Sequence, residues 1–348
     1  MPFACIYVPN FPVATALRVE PELQAHALAI LEGKPPLEKI IAVNEKAARV
    51  GMAPGMTKAQ AELCPELALR SRSRLQESAA HAALLDCAQS FSPCVEDAAC
   101  DTALLDLAGM ESLLGSLPEI SRAIGYRAAA LGFKAHVAVA SNPDAAVLAA
   151  RGFPGVTVIP LGKEAERLGP LQTAVLFTNR HEQEGDRGDG DQKKAAARLL
   201  ETLDRWGIRN LHGLAKLPEV SLSERLGQEG LRLQQLARGS ASRTLVPVEA
   251  PPVFEEAIEL EHPIVLLEPL AFLLNRLLEQ ICARLGSRAL ATQELRLTLE
   301  LENFSSFPQP SALKHQQFLR TGDLLRQLCQ ATAAGGRNSE SLILFRSM

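Results

Sequence analysis

VEDAACDTALLDL, residues 95–107, is a β-type run carrying carboxylates at Asp101 and Asp106, and it is matched by a second apolar run, FACIYV, at residues 3–8. Two β-type runs, with carboxylates at Asp101 and Asp106 of one of them, are a pattern that can hold a divalent cation. The plainer reading of both aspartates is structural, with Asp106 at the end of its run serving as a turn or helix-capping residue.

Composition bounds what surrounds these runs. With 348 residues, 47% hydrophobic and 22% charged, the chain supports about two to four compact domains and is not globally disordered. A formal net charge of −4 means that any nucleic-acid partner must be met by a local basic face. Aromatic residues make up 4%, with Trp206 the single tryptophan, which argues against stacking on aromatic platforms as a binding mode. The cysteines at 5, 64, 87, 94, 100, 282 and 329 form no CxxC pair, so small core residues in a reducing cytoplasm are expected and a zinc site is not. MPFACIYVPNFP has no basic start, and its apolar run is too short to span a bilayer, so a cytoplasmic chain without membrane attachment is expected.

Outward from residues 3–8, Pro9 and Pro12 break the strand and Val13–Arg18 can start a helix. Ala27–Leu31 and Ile40–Val43 read as strands around EGKPPLE, and VNEKAARVGMAPGMTKAQAELCP carries two helix patterns split at Pro54 and Gly55. Beyond residue 113 come a helix, the strand AHVAVA, a helix opened by Asn142 as N-cap and Pro143 in its first turn, and the strand VTVIP. Together they predict an α/β layer. EQEGDRGDGDQKK falls in an expected flexible insertion over 179–194, and it lacks the ligand spacing and closing glutamate of a calcium loop. Helical sequence resumes from Ala195 to Gly239, and the proline-rich TLVPVEAPPVFEEA reads as a linker. A strand, an amphipathic helix with its stripe at Leu270, Leu274, Leu277, Ile281 and Leu285, and a strand follow. PSALKHQQFLRTGDLLRQLC then predicts a second helix, and SLILFRS a closing strand.

Taken together, these segments resemble Y-family DNA polymerases of the UmuC/ImuB type, over nearly the whole chain. Ala99–Asp106 aligns with the family's SxDExxLD, with Thr102 in place of the glutamate. The aspartate of the opening strand falls at Val8, or at Pro9 if the alignment slips by one. Asn44, Gly51, Gly55, Met56, Ala61, Cys64 and Pro65 match the fingers motif, whereas its tyrosine and arginine become Glu45 and Ala48. The lysines of NKxxAKxA become Pro143 and Val147, and the bulky steric gate becomes Val13. Leu203, Trp206 to Ile208, Leu214 and Leu217, then Leu226, Gly227, Gly230, Leu233, Ala237 and Gly239, follow the helix-hairpin-helix thumb pattern. The hairpin that opens an active thumb is not recognisable in ERLGPLQTAVLFTNR, residues 166–180.

The resemblance implies an α+β right hand: palm over 1–33 and 72–165, fingers over 34–71, thumb over 166–240, linker over 241–257 and little finger over 258–348. It implies no intact catalytic set, with Val8, Asp101 and Thr102 as vestigial positions, at most Asp101 as a metal contact, and no cofactor. One carboxylate does not fix two magnesium ions, and each electrostatic interaction removed costs about 10²- to 10³-fold in rate. DNA backbone contacts are expected from Arg205, Gly207, Arg209, Lys216, Arg225 and Gly227, with Arg284 and Arg288 in the little finger; residues 205–243 hold seven Lys or Arg against three acidic residues. The implied role is a non-catalytic DNA-binding adaptor in DNA repair and damage-induced (SOS) mutagenesis, on damaged or primer-template DNA. Its implied partners are the sliding clamp, an error-prone replicative-type polymerase and a RecA-linked protein, for which members carry a further C-terminal extension. Neither QTAVLF (172–177) nor QPSAL (309–313) matches a clamp-binding peptide well. The alternatives are a weakly active error-prone polymerase and an interaction protein that no longer binds DNA.

Overall fold

The computed structural model describes residues 1–181, 189–241, 243–248, 253–264, 266–292, 294–301, 315–320 and 340–347. Its strands are β1 (Phe3–Tyr7), β2 (Ala27–Glu32), β3 (Lys39–Val43), β4 (Leu67–Ser71), β5 (Val95–Ala99), β6 (Thr102–Asp106), β7 (His136–Ala140), β8 (Val156–Val158), β9 (Phe254–Ile264), β10 (Glu294–Leu301), β11 (His315–Arg320) and β12 (Glu340–Ser347). The chain divides into two units. One comprises Met1–Pro9, Cys87–Ala129 and Lys134–Glu249; the other comprises Asn10–Asp86, Ala130–Phe133 and Ala250–Met348.

The first unit is built on β1, which runs antiparallel between β6 and β7 in a sheet of order β5-β6-β1-β7-β8. Cys5 lies opposite Leu104 on one side and Ala138 on the other, and all three are buried. The small side chains of Cys5 and Ala138 let the helix Pro143–Gly152 pack closely. That helix buries Ala145, Ala146, Ala149 and Ala150, and the Asn142 side chain caps it by accepting the Ala145 N–H at 2.8 Å. Leu203, Leu211, Leu214, Leu222, Leu233 and Ala237, from the helices Asp189–Arg205, Leu211–Ala215 and Glu219–Ala237, join the same core.

Two expectations change in this unit. Of the expected insertion, 179–181 belong to the 3₁₀ helix Thr173–His181 and 182–188 lie outside the described residues. Residues 189–194 open the helix Asp189–Arg205, which the alanine run and the buried Ala196 and Leu203 carry inward. The start of the linker is docked: Arg243 donates to Asp144 at 2.9 Å and Glu96 at 2.8 Å, and the Val248 N–H donates to the Val95 carbonyl at 2.7 Å.

In the second unit β2 lies between β3 and β4, antiparallel to the first and parallel to the second. β4 is not legible in sequence, because only Leu67 and Leu69 interrupt a polar segment. The other sheet has the order β11-β10-β12-β9, and Leu270, Leu274, Leu277, Ile281 and Leu285 of the helix Leu267–Ser287 are core residues, as the stripe predicts. β9 begins at Phe254, inside the expected linker. Residues His315–Arg320, expected to be helical, instead pair antiparallel with β10 from Glu294 opposite Arg320 to Leu299 opposite His315, where edge pairing overrides local propensity. The rest of that expected helix, 310–314 and 321–329, lies outside the described residues.

Arg284, expected at a phosphate backbone, is 0% exposed and fully engaged inside the second unit. It donates to Asp86 at 2.7 Å, to Glu256 at 3.2 Å and to the carbonyls of Glu255 and Val253 at 2.7 and 3.0 Å. Arg18 grips Glu256 through two 2.7 Å bonds and donates to the Leu131 carbonyl at 3.0 Å. Two guanidinium groups and two carboxylates thus neutralise one another with little water. Burial pushes the Asp86 carboxyl above its ordinary value even against the pull of Arg284. Half-buried Arg288 shares Asp86 at 3.4 Å. Glu256→Ala leaves two buried guanidinium groups without their common acceptor and is expected to lower the unfolding free energy by about 3 to 5 kcal/mol. Arg49→Ala, whose pair with Glu45 is exposed, is expected to change it by about 0.5 kcal/mol or less; urea unfolding measures both.

Candidate functional site

The Val8 amide donates to the Asp101 carbonyl at 2.9 Å, fastening the end of β1 to the turn between β5 and β6. Val8 and Thr102 are both fully buried. The Thr102 hydroxyl donates to Asp101 Oδ1 at 2.6 Å, and Arg151 Nη2 donates to Thr102 Oγ1 at 3.3 Å. The Arg151 guanidinium lies 5.8 Å from the centre of the Tyr7 ring, which meets His136 edge-on. Asp106 Oδ1 accepts the Ala108 N–H at 2.8 Å, the turn role expected of it.

These residues do not fit a pair of magnesium ions. Such ions need carboxylates on both, held about 3.5 to 4 Å apart. Here the three positions supply a buried isopropyl group, a neutral hydroxyl and one carboxylate, with a guanidinium beside them. Among the described residues no group of three His, Cys, Asp or Glu is placed to hold a metal. Burial pushes the neighbouring Cys5 thiol up to about 12, with Arg151 opposing, and burial also lowers Arg151 from its ordinary value.

The other expected positions divide by burial. Asn44 caps its short helix by accepting the Ala47 N–H at 2.9 Å and also accepts the Leu28 N–H at 3.0 Å, so it serves the fold. Glu45 is exposed and lies 3.6 Å from Arg49, Lys46 donates to the Ala25 carbonyl at 2.8 Å, and Val13 is buried. In QTAVLF, residues from Thr173 onward lie in the 3₁₀ helix and Phe177 is buried, which makes it a structural segment. QPSAL lies outside the described residues.

Farther along, Arg205, Gly207 and Arg209 share the exposed turn after the helix Asp189–Arg205. Arg205 is 2.5 Å from Glu201 and Arg209 is 3.4 Å from Asp204, with the two arginine side chains 70% and 82% exposed. Arg225 lies over the Trp206 ring at 5.5 Å and so joins that turn, and Lys216 lies just beyond the helix Leu211–Ala215. Gly227, at φ 63° and ψ −153°, kinks the helix Glu219–Ala237, so that a second helical segment starts after it. Gln234 holds the turn before that helix, donating to the carbonyls of Leu217 at 2.6 Å and Leu214 at 3.3 Å.

The impB/mucB/samB family matches residues 6–151, the segment that contains β1, the β5–β6 hairpin and Arg151. Residues 6–151 form an impB/mucB/samB family domain. A DNA polymerase IV of Dehalococcoides mccartyi (strain CBDB1) is 32% identical over 69% of this chain and 58% of its own length. Protein ImuB of Caulobacter vibrioides is 29% identical over 74% of this chain and 53% of its own length. The chain thus spans little more than half of each of these two relatives. The whole chain has the fold of Y-family DNA polymerases. It aligns over its full length and 98% of the other chain with a post-insertion binary complex of Dbh DNA polymerase, at a TM-score of 0.56 and 15% identity. DinB from Sulfolobus solfataricus aligns with the same coverage at 0.54 and 15%.

Within the impB/mucB/samB domain the residue that sequence reasoning misses is Arg151. Its one signal is a cation in the last turn of a helix that is small and apolar from Ala145 to Ala150. The conformation of Gly227 disfavours any side chain, so Gly227→Ala is expected to cost about 1 to 3 kcal/mol, read as a lower thermal midpoint. Because the buried Cys5 thiol stays protonated at neutral pH, iodoacetamide is expected to label exposed Cys282 in the native protein and to spare Cys5, as peptide mass mapping would register.

Proposed function

We propose that this chain is a DNA-binding adaptor of translesion synthesis that keeps the architecture of a polymerase without its two-metal chemistry. The observation that carries the reading is the β5–β6 turn with the end of β1 fastened to it, where buried Val8 and Thr102 leave Asp101 as the one carboxylate of the set. In this reading the five-stranded sheet serves as palm, residues 34–71 as fingers, the kinked helices as thumb and the C-terminal sheet as little finger. The exposed turn with Arg205, Gly207 and Arg209, together with Arg225, Lys216 and the helix restart at Gly227, meets the phosphate backbone without reading sequence. The pairs that Arg205 and Arg209 make with exposed carboxylates exchange readily for phosphate, since such surface pairs hold little energy. The kinship with ImuB and DNA polymerase IV supports a place in DNA-damage tolerance. By the same resemblance, the adaptor bridges a sliding clamp, an error-prone polymerase and a RecA-linked partner. No helix among the described residues is long and apolar enough to cross a membrane.

The relatives named DNA polymerase IV favour a second reading, a slow polymerase that uses Asp101 with substitute ligands. Primer extension with magnesium or manganese separates the two: template-directed incorporation that disappears on Asp101→Ala would replace the adaptor reading. Binding to primer-template DNA is expected to weaken steeply with salt. Charge reversal at Arg205 and Arg209 is expected to weaken it by about tenfold and to flatten the salt slope by about one for each phosphate left without its cation. Fluorescence anisotropy across a salt series measures both, and binding indifferent to these changes would remove the DNA interface.

A further inference from the structure

The hairpin of the impB/mucB/samB domain brings together a carboxylate, a hydroxyl and a guanidinium in a fixed order. Arg151 leaves the last turn of the helix Pro143–Gly152, lies over Tyr7 and donates to Thr102 Oγ1 at 3.3 Å. Thr102 can accept that bond because its own proton is committed to Asp101 Oδ1 at 2.6 Å. The side chain of Val8 contributes no polar atom, and its amide is spent on the Asp101 carbonyl. A positive charge thus already stands beside Asp101, tethered to the protein and linked to the carboxylate through one hydroxyl.

Resting on the proposed loss of two-metal chemistry, we infer that Arg151 is the resident cation of this site, taking the electrostatic place of a metal and excluding divalent ions from the hairpin turn. A divalent ion entering there meets a guanidinium close by in a partly buried site, where salt screens poorly. Arginine suits the task because it keeps its charge when half-buried and directs its donors in a plane. The site is therefore replaced as well as depleted. Restoring carboxylates at positions 8 and 102 gives Arg151 two new partners before it gives a metal any ligands.

Electron paramagnetic resonance of Mn²⁺ tests this in the full chain as four proteins: the unaltered chain, Arg151→Met, the graft Val8→Asp with Thr102→Glu, and that graft with Arg151→Met. The graft without Arg151 is expected to bind Mn²⁺ at least tenfold more tightly than the graft that keeps it. Equal affinity of the two grafts overturns the inference, even if primer extension still finds no synthesis. Micromolar Mn²⁺ binding by the unaltered chain overturns the adaptor reading and the inference together. If the grafts do not fold, as judged by circular dichroism, a double-mutant cycle of Arg151→Met and Asp101→Asn decides. The combined loss in the folding equilibrium constant is expected to fall at least fivefold short of the product of the single losses, and independent effects reject the resident cation.

Discussion

The hydrogen bond from the Val8 amide to the Asp101 carbonyl is the constraint on which the hairpin site depends. It extends the β1–β6 pairing one step past Tyr7 opposite Thr102, so the end of β1 closes against the turn. Once that turn is closed, whatever side chains stand at positions 8, 101 and 102 must share one small, partly buried space. Within it the Thr102 hydroxyl donates to Asp101, and Arg151 is the cation that reaches Thr102. In the middle of β1, burial pushes the Cys5 thiol up to about 12.

Charged groups meet elsewhere in the chain as well. In the second unit Arg18, Glu256, Arg284 and Asp86 neutralise one another under nearly complete burial, and Arg284 also satisfies two backbone carbonyls. Burying such groups costs more than their attraction returns in many settings, so their value lies in fixing one arrangement of the segments they join. The arginines near Trp206 are the opposite case: exposed, loosely paired and available to an external anion. Burial therefore sorts the arginines into those that hold the fold and those that can hold a ligand.

Much of the architecture is readable in the residues alone. The apolar runs at 3–8 and 136–140, the capping Asn142 and Pro143, and the leucine stripe from 270 to 285 each state a local preference that the tertiary fold accepts. β4 is not readable because two leucines in a polar segment make no period. The strand at 315–320 reads as helix because its pairing with β10 comes from distant sequence. Arg284 reads as a surface residue because an arginine on an amphipathic helix carries no mark of the Asp86 and Glu256 that meet it inside.

By itself, then, the sequence determined the order of most strands and helices, the aliphatic and hydroxyl substitutions at Val8 and Thr102, and the basic character of residues 205–243. These are matters of residue identity and short-range spacing, and identity survives without a fold. Only the tertiary structure decided that Arg151 stands beside Asp101 and Thr102, that Arg284 is enclosed while Arg205 and Arg209 are open, and that the linker begins docked against β5. Each of these depends on which groups lose water together, and partners separated by tens to hundreds of residues leave no local trace of their meeting.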